Sequence, residues 1–407
     1  MTAPFPTLPK FAIRPVQYRD LEAVETCMVQ EGEAAAAEKS SFLAQQFQTT
    51  RHWYGLLKLL SLFPNPFRYH LCAYVAEAEH GRELLGFMQV APFNQTRSTW
   101  RVQQVWLSST ANNPPLNIDS KEIGSQLLRY CFETVWEART WILEVGADEK
   151  DALALYRQNG FQPLAHLTYW SVSPTLLAQL ATDEPHLPNL LPVSNTDAQL
   201  LYQLDCVSMP PLLRQVFDLH IQDFKTSFFG SLINKIQQWC IQSQVVSGYV
   251  FEPQRKAAIG YYKLSLCKDG SRRHQAQLTV HPAYTWLYPQ LLTKMAQLAQ
   301  PLPPQSLELV STDYQHEREE YLEKLGAQRS AHGLLMSRSV WHKLRETKPE
   351  GLHFSEVLQG LQPVPRTPIP TRMRWLDQPS SLPPQNQEIS DSSERPTKNG
   401  KGQLRGD

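Results

Sequence analysis

The feature that most constrains this 407-residue chain is an internal repeat. Gly86-Phe-Met-Gln-Val in the first half resembles Gly260-Tyr-Tyr-Lys-Leu in the second, and Arg157-Gln-Asn-Gly resembles Glu323-Lys-Leu-Gly. The members of the first pair are 174 residues apart and those of the second 166 residues apart. Because both distances are close to about 170 residues, they indicate the duplication of one domain. The length also suits two domains of about 150 residues each. We therefore predict two copies of one fold.

Each half shows the same order of predicted elements, with a hairpin and a third strand before a helix, a strand, a short helix and a last strand. Alternating apolar residues predict the strands, and apolar residues three and four positions apart predict the helices. In the first half we predict strands at 11–14, 71–76, 84–90, 101–107, 141–145 and 167–172 and helices at 20–29, 34–62, 121–137 and 151–158. In the second half we predict strands at 245–251, 257–264, 275–280, 306–310 and 334–337 and helices between 197 and 239, at 287–298 and at 317–325. This alternation is typical of an α/β fold.

Composition marks the domain boundaries. We predict an N-terminal domain at 1–173, a linker at 174–192 that is rich in proline, and a second domain at 193–345. Proline, serine, glutamine and charged residues dominate 346–407, which cannot bury enough apolar surface to order itself, so we predict a disordered tail. A protein partner could dock on its few apolar residues, Met373, Trp375 and Leu376, although an inert tail is the alternative.

The overall charge and the cysteines exclude several classes of function. The 39 basic and 39 acidic residues cancel, so the basic surface of a nucleic-acid-binding protein is missing. The six cysteines stand singly, without the close pairs of zinc sites and redox motifs, so we expect no metal and reduced thiols. Neither a signal peptide nor an apolar run of roughly 20 residues is found, so we expect a cytoplasmic protein without a membrane span.

A candidate phosphate-binding helix begins near Ile123. Free backbone N–H groups at a helix N-terminus attract a diphosphate, and a small residue such as Gly124 lets the backbone approach it. Because glycine beside a helix start is common, this pattern alone leaves many functions open.

Three segments of the first half are informative in combination: Ile123-Gly-Ser-Gln-Leu-Leu, Leu143-Glu-Val and Ala152-Leu-Ala-Leu-Tyr-Arg-Gln-Asn-Gly-Phe. Together they resemble the GNAT superfamily of acyl-CoA N-acyltransferases, over about residues 11–172. In the second half, Leu278-Thr-Val-His-Pro-Ala-Tyr and Leu322-Glu-Lys-Leu-Gly resemble the corresponding strand end and closing helix. The resemblance implies two tandem α/β (α+β) domains, each a mixed sheet flanked by helices, with two central strands that splay apart to admit acetyl-CoA. It also implies that an acceptor amine, on a small molecule or a protein, attacks the thioester of this co-substrate.

The resemblance also assigns roles to residues. Tyr156 matches the tyrosine that protonates the departing thiolate in many members, and a phenol suits this role because it is neutral at pH 7. A packing role for Tyr156 beside Leu155 stays open. Gly124 matches the last glycine of the phosphate loop. Further residues expected at acetyl-CoA are Ser125, Gln126 and Leu127, through N–H groups at the helix start, and Val105 and Leu107, through backbone groups that face the pantetheine arm.

The chain departs from the family's pattern at several positions. Asp119 and Glu122 replace residues of the phosphate loop, and two carboxylates repel a diphosphate unless they turn outward. Gln103 stands where many members carry a general-base carboxylate, and glutamine cannot accept a proton. In the second half, bulky residues at 285–289 replace the phosphate loop and Leu322 replaces the tyrosine, so we expect a degenerate copy.

Two functions therefore remain open at this stage. The first is N-acyl transfer from acetyl-CoA to an unidentified amine, with the active cleft in residues 1–173. The alternative is a non-catalytic scaffold of the same fold that binds a protein partner, with residual or no affinity for CoA. Gly124 and Tyr156 favour the enzyme, whereas Gln103 and Glu122 favour the scaffold, and fold alone cannot choose between them.

Overall fold

The structure is a computed structural model, and it describes residues 11–20, 22–24, 26, 72–78, 83–108, 119–225 and 243–340. The tail predicted at 346–407 and the helices predicted at 34–62 lie outside these residues. None of the helices within the described ranges has both the length and the apolarity that a bilayer crossing requires.

The helices and strands follow the predicted order in both halves. The first half contains β1 (Phe11–Pro15), β2 (Cys72–Ala78), β3 (Leu84–Pro92), β4 (Thr99–Leu107), α1 (Ser120–Thr134), β5 (Thr140–Gly146), α2 (Lys150–Gln158) and β6 (Gln162–Val172). The second half contains α3 (Pro174–Leu180), β7 (Leu190–Pro192), α4 (Ala198–Ser208), α5 (Pro211–Phe217), β8 (Ser243–Glu252), β9 (Ala257–Cys267), β10 (His274–Val280), α6 (Leu287–Ala299), β11 (Leu307–Thr312), α7 (His316–Leu325) and β12 (Gln328–Ser339).

The twelve strands of the described chain form one mixed sheet, in the order β1-β2-β3-β4-β5-β12-β6-β11-β10-β9-β8-β7. Neighbours pair antiparallel except for β4 with β5 and β10 with β11, which pair parallel. The predicted α/β class with a mixed sheet is confirmed. The two expected sheets are joined edge to edge, so that the halves share one backbone hydrogen-bond network.

The junction is an exchange of the last strand between the two copies. β12 ends the second half but pairs with β5 of the first, from Gly333 opposite Gly146 to Ser339 opposite Thr140. β6 ends the first half but pairs with β11 of the second. The two exchanged strands also pair with each other along most of their length. This mutual pairing explains why both strands are longer than the sequence predicted.

The hydrophobic cores follow the exchange. Leu334 and Met336 of β12 are buried in the core that α1 and α2 form with the first-half strands. Trp170 and Val172 of β6 are buried in the core that α6 and α7 form with the second-half strands. The indole of Trp170 also donates to the Ser311 hydroxyl of β11 across 2.8 Å. Each copy therefore completes its core with side chains of the other.

A second contact between the halves lies at the turn between β3 and β4. The side-chain amide of Asn94 donates to the carbonyls of Phe217 and Asp218 at the end of α5, across 3.1 and 2.9 Å. The Ser98 hydroxyl donates to the Asp218 carboxylate across 2.6 Å. The first-half hairpin that leads into β4 is thus held by a second-half helix.

The segment predicted as a linker, 174–192, contains α3 and β7. Ser173 caps α3, accepting from the Leu176 N–H, and Pro174 suits the first helical position because the N–H it lacks has no partner there. The domain boundaries remain a prediction, because the copies share one sheet.

We predict that Met336→Ala destabilises both halves together. The Met336 side chain is fully buried, and removing a methionine side chain from a core costs about 2–5 kcal/mol. Because β12 is a central strand, we expect one unfolding transition at a lower temperature, with β3 and β9 losing hydrogen-exchange protection together. The matched control, Val207→Ala, removes a half-exposed side chain and should change stability by less than about 0.5 kcal/mol. An unchanged melting temperature of the second half would contradict the prediction.

Candidate active site

In the first half, the parallel strands β4 and β5 splay apart partway along their length, which creates a parting (a splay) between them. β4 and β5 pair from Thr99 opposite Thr140 to Val102 opposite Leu143, and no pairing follows beyond that point. β4 continues for five more residues with β3, and β5 continues to Gly146 with β12. The pairing of β4 with β3 shifts register at Gln103, a β-bulge that turns the strand at the point of parting.

Backbone groups of β4 point into this parting. The Ser108 N–H donates to the Leu85 carbonyl of β3 across 2.9 Å, which fixes the direction of alternate residues. In an antiparallel pair, the residues between the hydrogen-bonded ones direct their N–H and C=O groups to the other side. Val105 and Leu107 therefore direct theirs toward β5, where none of the described strands pairs with them. This geometry fits their predicted role of holding an extended ligand such as a pantetheine arm.

The start of α1 differs from the predicted phosphate site. The helix begins at Ser120, so the amides of Ser125, Gln126 and Leu127 lie beyond its first turn, where N–H groups bond within the helix. The expectation that they supply free N–H groups is corrected accordingly. In the first turn, the N–H of Lys121 is bound by the Asp119 carboxylate across 2.9 Å.

The first-turn amides that follow are also engaged by Asp119. The N–H groups of Glu122 and Ile123 donate to the Asp119 carbonyl. A diphosphate at this helix start must therefore displace the Asp119 side chain from its capping position. The side chain of Glu122 is exposed and accepts from the Gln126 amide across 3.4 Å, so this carboxylate turns along the helix surface.

Gly124 and Ser125 connect elements of the first half. A Cβ atom at Gly124 would lie 2.7 Å from Leu155 of α2 and 3.1 Å from Leu107, so glycine lets α1 pack against β4 and α2. The Ser125 hydroxyl accepts from the buried side-chain amide of Asn159, which caps α2. The structure thus gives both residues a packing role beside the parting.

Tyr156 lies on α2 and is buried, with 7% of its surface exposed. Burial, with a smaller contribution from the negative charge of Glu149, raises the pKa of the phenol to about 12, so it is protonated at neutral pH. Its ring packs edge-on against Phe161, with the centroids 5.8 Å apart. Both roles foreseen for Tyr156, proton donor and packing residue, are compatible with this position.

The structure brings a carboxylate to the parting that the sequence analysis did not single out. Glu144 follows the last paired residue of β5 and projects from the sheet face opposite α1. Its carboxylate forms an ion pair with Arg101 of β4 at 2.8 Å and accepts from the Tyr169 hydroxyl at 3.1 Å. Burial raises the pKa of the Tyr169 phenol, and the negative charge of Glu144 raises it further. Only the pairing of β4 with β5 reveals this proximity.

Two buried polar atoms on the same face lack hydrogen-bond partners among the described residues. They are Oε1 of Gln104, an acceptor, and Nε1 of Trp106, a donor. Both side chains belong to the part of β4 that has left β5. Buried polar atoms of a native protein are nearly always paired, so both atoms call for a polar partner from outside the described residues.

The second half contains the same parting, but an arginine closes it. β10 and β11 pair only from His274 opposite Leu307 to Ala276 opposite Leu309. Beyond that point, the guanidinium of Arg318 donates to the Leu278 carbonyl of β10 and, across 2.9 Å, to the Val310 carbonyl of β11. Arg318 is buried, with 4% of its surface exposed, and desolvation lowers its pKa. The guanidinium therefore occupies the space between the separated strands.

Ala152 holds the equivalent position in the first half. The glycines that end α2 and α7 are 166 residues apart, and so are Ala152 and Arg318, each the third residue of its helix. A methyl group has neither the length nor the donors to bridge two strands. Within the described residues, no side chain of α2 bonds to both strands of this parting, in contrast to Arg318 of α7 in the second half. This difference is consistent with the expectation that the second copy is degenerate.

Several solved structures are similar to this chain. A tandem GNAT protein from the clavulanic acid biosynthesis pathway, solved without acetyl-CoA, matches 82% of this chain and 99% of its own with a TM-score of 0.52 and 12% identity. A GCN5-related N-acetyltransferase from Sphaerobacter thermophilus matches 82% of this chain and 97% of its own, with a TM-score of 0.49 and 14% identity. No family model matches the sequence, and no curated protein matches it. At these identities, the likeness to the tandem protein establishes the fold.

We predict that Arg318→Met destabilises the protein by about 2–4 kcal/mol. Methionine fills much of the same volume but leaves two main-chain carbonyls without donors, and a buried unsatisfied acceptor costs about 1–3 kcal/mol. Urea unfolding at neutral pH provides the measurement. The control Lys324→Met removes an exposed cation whose pair with Glu320 contributes little, so its unfolding curve should match the wild type. Equal stability of both variants would contradict the bridging role.

Proposed function

We propose that this chain, which has the fold of the tandem GNAT proteins, transfers an acyl group from an acyl-coenzyme A, such as acetyl-CoA, to an amine. The observation that carries the proposal is the open parting of β4 and β5, into which the backbone groups of Val105 and Leu107 point. The closed parting of the second half supports a single active cleft, in the first.

The acyl-CoA would bind along β4. Its pantetheine amides would pair with the N–H and C=O groups of Val105 and Leu107, as an added strand would. The diphosphate would lie near the start of α1, where it takes over the Lys121 amide that the Asp119 carboxylate now binds. We expect this displacement to weaken binding, because the Asp119 carboxylate and the diphosphate repel each other.

The amine would attack the thioester carbon at the mouth of the parting. A carbon–nitrogen bond forms, the carbon–sulfur bond breaks, and the sulfur leaves as thiolate. Tyr156 is the candidate donor of a proton to this thiolate, since burial keeps the phenol protonated. Glu144 is the candidate acceptor of the proton that the amine loses, in place of the carboxylate missing at Gln103. Alignment of the two substrates would supply much of the acceleration.

The acceptor would approach from the face opposite α1. Gln104 and Trp106 offer there one acceptor and one donor without partners in the described chain, which suits an amine that carries a second polar group. Apolar side chains of β2 and β3 border Trp106 on this face. We therefore expect the acceptor to combine an amine with an apolar portion.

We predict that acetyl-CoA stabilises the protein and that Ala152→Arg removes this effect. At a hundredfold excess over its dissociation constant, a ligand adds about 2.7 kcal/mol to the stability of the folded state. An arginine at 152 can bridge β4 and β5 as Arg318 bridges β10 and β11, so the variant should fold and exclude the ligand.

The readout is the melting temperature with and without acetyl-CoA. Ala152→Ser is the matched control, since it adds one oxygen to the same position and should retain the shift. No shift for the wild type at millimolar acetyl-CoA would overturn acyl transfer. An unchanged shift in Ala152→Arg would place the cofactor elsewhere.

We predict that Tyr156→Phe keeps the acetyl-CoA shift but slows turnover by about a hundredfold, because general acid catalysis contributes a factor of this order. Phenylalanine preserves the packing against Phe161, so the fold should be unaffected. Release of free thiol from acetyl-CoA in the presence of primary amines provides the measurement. A variant as fast as the wild type would assign Tyr156 to packing alone.

A further inference from the structure

A second cavity lies in the other half of the molecule. It has a volume of about 310 Å³ and lies between α4, α5 and the residues that follow α5. This volume is at the lower end of the range of small-molecule sites. Its lining contains no residue of β4, β5, α1 or α2, so the cavity is separate from the proposed cleft.

An uncompensated carboxylate lies in this cavity. Asp205 on α4 is partly buried, and no described residue donates a hydrogen bond to its side chain or forms an ion pair with it. Burial, acting alone, raises the pKa of this carboxyl to about 6. Nearby groups that accompany it are the phenols of Tyr202 and Tyr314 and the thiol of Cys206. A desolvated carboxylate without a counter-charge is costly for the fold and favours a cationic ligand.

The cavity lining also contains a residue of opposite charge. Arg214 on α5 lines the cavity and is exposed, and no described carboxylate forms an ion pair with it. Arg214 and Asp205 are also not paired with each other. Tyr202, Met209 and Phe217 line the same cavity, as does Asp218, whose carboxylate accepts from the Ser98 hydroxyl. A simple cation would leave Arg214 without a counter-charge, whereas a ligand with both charges could pair with both groups.

We propose that this cavity binds a small amino acid or ω-amino carboxylate, whose ammonium group pairs with Asp205 and whose carboxylate pairs with Arg214. The short apolar chain between the two charges would contact Tyr202, Met209 and Phe217. The site goes beyond the proposed acyl transfer, since it lies in the copy whose strand parting is closed by Arg318.

The test is isothermal titration calorimetry at pH 7.5 with 4-aminobutyrate, on the full chain without acyl-CoA. Binding is expected for the wild type and should weaken at least about tenfold in Asp205→Asn, because a charge-assisted hydrogen bond is lost. n-Butylamine and butyrate, each with one charge, should bind the wild type at least about tenfold more weakly. Arg214→Gln should weaken binding of 4-aminobutyrate and leave n-butylamine no weaker than before.

Two controls keep the outcome unambiguous. Asp205→Asn removes an unfavourable buried charge, so its melting temperature at pH 8 should equal or exceed that of the wild type. Ala152→Arg should leave 4-aminobutyrate binding unchanged, which distinguishes this site from the cleft. The proposal is overturned if 4-aminobutyrate fails to bind at millimolar concentration, binds Asp205→Asn as tightly as the wild type, or binds no better than butyrate.

Discussion

The pairing of β6 with β12 is the constraint on which the rest of the structure depends. These two strands lie at the centre of the sheet, and each completes the core of the copy that it does not belong to in sequence. β5 is paired with β12 along its whole length and therefore stays hydrogen-bonded to the sheet where it leaves β4. The open parting of the first half is thus supported by a strand of the second. The duplication and the cleft are parts of one architecture.

The two copies share the same separation of parallel strands but differ in the side chain that lies beside it. Both have parallel central strands that separate after a few residues, and both follow them with a short helix ended by glycine. At the third position of that helix, the alanine of the first half has no group that can bond to the strand carbonyls, whereas the arginine of the second binds two of them. The difference is electrostatic as well as steric, because the guanidinium satisfies the backbone groups that a ligand would otherwise pair with. The residue at this one position therefore distinguishes the strand separation of the first copy from that of the second.

The sequence predicted the elements well and their partnership poorly. Hydrophobic periodicity locates a strand and its buried face, which is why the duplication and the order of strands were recognised. Hydrophobic periodicity does not specify which neighbour a strand pairs with. The patterns of β6 and β12 are therefore compatible both with pairing inside their own copy and with the exchange. The burial of Arg318 could not be predicted for a similar reason. A charged residue in an amphipathic helix is expected at the surface, and only the fold shows that two carbonyls face this one. Glu144 and Asp205 likewise depend on surroundings that only the fold supplies. The helix was predicted from residue 121, one residue after its start, but Asp119, noticed for its charge, was not recognised as its cap.

The strands at the two edges of the sheet are short. Its outermost strands in the described chain, β1 and β7, have five and three residues, and both end in proline. Sheet edges are templates for unwanted association between molecules, and short strands that end in a residue without an N–H group offer few sites for it. The exchange reinforces this protection, because it moves the two long terminal strands of the copies to the interior. The two edges of the twelve-stranded sheet thus offer few backbone groups to a strand of another molecule.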